Sequence, residues 1–188
     1  MRWQRLFADL QAEFDAAEAA AERAEDASRR RVETGAVRLV DRLAGSVGRP
    51  LALRCQGAGD VTGVLVDVGA DWLLLDSGGR EVLVATATVR TVAGLGRATA
   101  VPAERGAVHA RMDLRRVVRG LSRDRTAVQV VLDDGSAHVG TVDGVGADHL
   151  ELAEHAADQP RRAAAVRGVR AIALPAVAVV RTLAPGLV

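Results

Sequence analysis

A chain of 188 residues has room for one ordinary domain or two small ones, which excludes a large multidomain enzyme. With 49% apolar and 26% charged residues it can bury a core instead of staying disordered. The formal charge of +1 is uneven, because residues 1–28 hold three Arg against seven Asp or Glu, so any basic surface belongs to the remainder. Cys55, the one cysteine, has no partner for an internal disulfide, which fits a reducing compartment. Acids from Asp9 onward interrupt any signal peptide and no run of 18 apolar residues occurs, so a cytoplasmic protein with no membrane span is expected.

From the N-terminus, Trp3, Phe7, Leu10 and Phe14 fall at steps of 4, 3 and 4, and Ala17, Ala21, Ala24 and Ser28 continue the register. That spacing predicts a heptad helix over residues 3–33, with acids early and Arg29–Arg31 late as the helix dipole favours. Trp3, Phe7, Leu10 and Phe14 are the candidates for self-association, so a homo-oligomer is expected. An acidic polar face argues against a helix lying on a membrane.

The body repeats itself. Residues 63–75 and 140–152 share the pattern G-x-x-x-x-V-G-A-D-x-L-x-L at an offset of 77 residues, and Val89–Val92 matches Val180–Leu183 at 91. In repeat 1 the alternation predicts strands over 51–56, 61–68, 72–76, 81–85 and 88–92; in repeat 2, over 128–132, 137–145, 150–153, 169–174 and 176–183. A helix precedes each copy: Val37, Val40, Leu43 and Val47 form one stripe, and Leu114, Val117, Val118 and Leu121 the other. The expected organisation is a helix over 1–33, a first barrel with its leading helix over 34–93, a linker over 94–110 and a second barrel with its helix over 111–188.

Helix, Gly48-Arg49-Pro50, strand, glycine turn, Gly63-x-Leu65, glycine turn, alternating Leu, then a hairpin into Val89-x-x-Val92 resembles the order in Sm-like proteins, the Hfq-type RNA chaperones among them. The resemblance implies a mainly β fold with two tandem Sm-like (SH3-like) five-stranded small barrels, each preceded by a helix. It does not carry the family's RNA site: the Lys-His pair of the Hfq type falls at Ala85–Thr88 or Leu174–Val177, and the chain has no Tyr for stacking. The whole chain also resembles tandem proteins of high-GC bacteria, some labelled Fis-type transcription regulators. That label implies a C-terminal helix-turn-helix, whereas residues 171–183 read as Val-rich strand.

Catalytic chemistry finds no constellation. Cys55, His109, His138, His149 and His155 form no metal-ligand spacing, Asp133-Asp134-Gly135-Ser136 is turn composition, and no nucleophile motif occurs, so neither an enzyme nor a cofactor or metal is expected. Arginine is what clusters. Arg111, Arg115, Arg116, Arg119 and Arg123 lie on or beside the second helix, and Arg161, Arg162, Arg167 and Arg170 in or beside the segment inserted in repeat 2. Guanidinium pairs phosphate bidentately and stacks on bases, so the expected function is non-enzymatic, regulatory binding of RNA or DNA. The alternative is a protein-interaction scaffold acting through barrel edges and the N-terminal helix.

Overall fold

The computed structural model describes residues 11, 13, 14, 18–26, 28, 35–99, 112–156 and 165–183. Two compact units are present, Met1–Arg38 and Leu39–Val188. In the first, the described residues of 11–28 are helical and exposed, Phe14 at 72%. Trp3, Phe7 and Leu10 lie outside the described residues. The expectation of a long heptad helix as an element of the fold is corrected: the described seam residues Phe14, Ala21, Ala24 and Ser28 cover nothing, and the architecture of the chain is β. Alanine offers too little area at a seam to fix a helix by burial.

The second unit is one ten-stranded sheet in the order β5-β1-β2-β3-β4-β10-β6-β7-β8-β9. Repeat 1 supplies β1 (Pro50–Cys55), β2 (Gly59–Val68), β3 (Trp72–Asp76), β4 (Glu81–Ala85) and β5 (Val89–Ala93). Repeat 2 supplies β6 (Ala127–Leu132), β7 (Ala137–Val145), β8 (His149–Glu154), β9 (Gly168–Ala173) and β10 (Val177–Thr182). The C-terminus is strand, as its valines indicate, and holds no helix-turn-helix among the described residues. Helix α1 spans only Leu39–Ala44, and of its expected stripe Leu43 is buried while Val37 and Val47 are exposed. Helix α2 spans Leu114–Asp124 and buries Leu114 and Val118, with Val117 and Leu121 packed beside them.

Two closed five-stranded barrels are not formed, and the expectation drawn from the Sm-like order is corrected on this point. Closure would set β4 beside β5 and β9 beside β10. Instead β4 pairs with β10, with Val84 opposite Val179, Leu83 opposite Val180 and Val82 opposite Arg181, and the sheet stays open at β5 and β9. The reason lies in β4, whose residues Val82 to Ala85 are all buried. Val82 and Val84 face a core with Leu53, Leu65 and Val179, while Leu83 and Ala85 face a second core with Trp72, Val118 and Val128. A strand apolar on both faces needs cover on both, and the second repeat provides it.

Within this sheet the repeat is closely kept. The ladder shifts register between Leu65 and Asp67 and, 77 residues on, between Val142 and Gly144. Gly63 and Gly140 are fixed by close approach: a Cβ there would come within 2.5 Å of the Asp76 carbonyl oxygen and 2.1 Å of that of Ala153. The last strands align differently from the sequence match. Leu53 pairs with Val92 and Val130 with Val180, an offset of 88 residues in place of 91, so the insertion between β8 and β9 is about 11 residues instead of 14.

Candidate nucleic-acid interface

Helix α2 starts where Asp113, in extended conformation, accepts from the Arg116 amide at 2.9 Å. The Leu114 amide donates to the Asp71 carboxylate at 2.7 Å, and the Trp72 indole donates to the Met112 carbonyl at 2.8 Å. The first V-G-A-D turn thus seats the start of α2. Alternation alone leaves Trp72 between packing and a ligand platform; it is 3% exposed and belongs to the second core. The helix ends at Arg125 with φ 50°.

Along its outer side α2 exposes Arg116, Arg119 and Arg123, with Arg125 just beyond. Asp113 and Asp124 are the acids within that stretch. Arg119 donates to the Val145 carbonyl at 3.3 Å and the Ser122 hydroxyl to that of Asp143 at 3.5 Å, tying the helix to the end of β7. Arg115 is half-buried, and its Nε is a buried atom without a hydrogen-bond partner. Arg111, Arg161 and Arg162 lie outside the described residues.

Arg167 and Arg170 do not join this face. Arg170 donates to Glu154 at 2.6 and 3.3 Å, and Glu154 also meets the His138 ring at 3.1 Å. His138 stands near the first residue of β7 and Val145 at its last, roughly 20 Å apart at the rise of a strand. The two arginine groups therefore form separate patches. Beside Glu154 lies an open cleft of about 410 Å³ lined by His138, His155 and Arg167. His155 is buried and bonded to Thr141 at 2.8 Å and to the Ala156 carbonyl at 2.9 Å, which makes it structural.

The Glu154 carboxylate is held below the ordinary carboxylate range, first by the hydrogen bond from Arg170 and then by His138. A depressed carboxylate pKa adds stability above the unfolded value, near 4.5, and that stability is lost as pH falls through the folded value. The pair is solvent-exposed, so the effect is small. Melting temperatures of wild type and Glu154→Gln, compared at neutral pH and below pH 4.5, should differ at neutral pH and converge in acid.

Among the described residues no group of three or more His, Cys, Asp or Glu is placed to hold a metal ion. Cys55 is buried, and burial raises its thiol pKa, which keeps it protonated and unreactive. Asp134 accepts from the Ser136 amide and hydroxyl at 2.8 and 2.6 Å, as a turn aspartate does. No helix among the described residues is long and apolar enough to cross a membrane. No protein-family model matches the chain, and no curated protein matches it.

Proposed function

We propose that this is a non-enzymatic cytoplasmic regulator that binds RNA or DNA through the phosphate backbone, using the arginine face of α2. The observation that supports the reading is the row Arg116, Arg119, Arg123 and Arg125, exposed on a helix that is fixed at both ends, by Asp71 at its start and by Val145 near its close. Guanidinium groups on a rigid helix meet phosphate with little ordering cost, and the described residues around them offer no aromatic side chain for base stacking. Contacts of this kind position a backbone without reading sequence.

Binding of single-stranded RNA, duplex DNA and heparin, followed at two salt concentrations, tests the reading. Replacing Arg116, Arg119 and Arg123 together by Ala should reduce the slope of log affinity against log salt on duplex by about 2 to 3, at roughly 0.9 for each phosphate no longer neutralised. An unchanged slope would assign any binding to another surface. The scaffold reading is favoured by a separate observation, the two unpaired sheet edges at β5 and β9.

A further inference from the structure

We propose that the two open edges of the sheet are the two halves of one interface, so that β9 of one copy pairs antiparallel with β5 of a second copy. The proposal does not rest on nucleic-acid binding. Its template is the joint inside the chain, where the fourth strand of repeat 1, β4, pairs with the fifth strand of repeat 2, β10. What remains at the edges is the fifth strand of repeat 1 and the fourth of repeat 2, the missing partners of that same pairing.

The repeat fixes the register. Within the chain Val84 opposes Val179, Leu83 opposes Val180 and Val82 opposes Arg181. Moved by one repeat, Ile172 of one copy opposes Thr91 of the next, Ala171 opposes Val92, and Arg170 opposes Ala93. Strand lengths agree, since β5 and β9 have five and six residues, as β4 and β10 do.

A second observation places a missing neighbour at the β5 side. Leu114 and Leu39 are the first residues of α2 and α1, yet Leu114 is 7% exposed and Leu39 50%. Leu114 lies in the core that holds Trp72, beside the turn at Asp71, whereas no described part of the chain covers Leu39 in that way. The equivalent turn of repeat 2, Asp148-His149, stands at the free end of the sheet, where Asp148 is exposed. A second copy docked by its β9 edge brings that turn to Leu39.

The contact between copies is weaker than the internal joint. Trp72, Leu74 and Leu83 of the covered face become His149, Glu151 and Ala171 on the free one, so less apolar area is buried. Because each copy offers two different edges, the contact is heterologous and adds copies in series.

Sedimentation of the full chain should show a mass that rises with concentration from 19.7 kDa by whole copies. The double variant Val92→Cys/Ala171→Cys, oxidised, should run as a ladder of linked chains, because directly opposed Cβ atoms lie about 4.5–5.5 Å apart. An equal mixture of the two single variants should give linked dimers. The shifted pair Val92→Cys/Val169→Cys should give no ladder. A single-copy mass at every concentration overturns the proposal, as does equal linking of the shifted pair. A rising mass that Phe14→Glu abolishes, with no 92–171 link, assigns association to the N-terminal segment and overturns it too.

Discussion

Replacing Trp72 by Ala should lower the stability of the folded body by about 3–5 kcal/mol, the range for a large aromatic side chain removed from a core. Trp72 is 3% exposed and belongs by sequence to repeat 1, but it packs in the core of repeat 2 with Leu114, Val118 and Leu83. Its indole also donates to the Met112 carbonyl at 2.8 Å, just before α2 begins. Removing it opens a cavity under the start of that helix and takes away a hydrogen bond, so helix and sheet are loosened together. Trp72→Phe keeps most of the ring volume and loses the bond, so its cost should be nearer 1 kcal/mol, with a repacking term for the smaller ring. Denaturant titration followed by circular dichroism measures both. One transition is expected for wild type and variants, because each core draws residues from both repeats. A Trp72→Ala cost below about 1 kcal/mol would mean that the indole is not holding the helix.

The strands were legible because alternation and turn residues are local signals. Trp72–Asp76, Glu81–Ala85 and Ala137–Val145 fall where the pattern puts them, and the repeat carries even the ladder shifts at Leu65 and Val142. What alternation does not encode is which edge a strand pairs with. Val82, Leu83, Val84 and Ala85 form a continuous apolar run, the mark of a strand buried on both faces, and that run held the signal that β4 is central. Read as one side of a closed barrel, it would have left Leu83 and Ala85 without cover. The apolar outer face at Trp72 and Leu74, against His149 and Glu151 in the second copy, pointed the same way: one repeat is covered by its neighbour and the other is terminal. The site was legible to a lesser degree. Helical spacing placed Arg116, Arg119 and Arg123 on one exposed helix, whereas the inward turn of Arg115 and the separation of Arg167 and Arg170 from that helix depend on packing that spacing does not carry.

Gly69→Ala should cost several times more than Gly146→Ala, although both glycines hold the same place in the shared V-G-A-D turn. In each turn the glycine amide donates to the carbonyl three residues on, at 2.9 Å to Trp72 and 2.8 Å to His149, which folds the next side chain back over the glycine. A Cβ on Gly69 would lie 2.1 Å from the Trp72 indole, and one on Gly146 would lie 2.4 Å from the His149 ring. Both contacts are too short to stand, so in each case the ring must move or the turn must open. The indole is buried and bonded to Met112, and shifting it disturbs the core beneath α2, so the cost approaches that of overpacking, about 1–3 kcal/mol. The imidazole is 43% exposed and its bond is to the exposed Asp148 carboxylate, so it can swing into water and leave the backbone in place. Gly146→Ala should therefore stay within about 0.5 kcal/mol of wild type, as surface substitutions do. The double variant Gly69→Ala/Trp72→Ala provides the check, since removing the indole removes the clash. In the Trp72→Ala background the added cost of Gly69→Ala should fall to the level seen at Gly146, a coupling that denaturant titration of the four proteins reads directly.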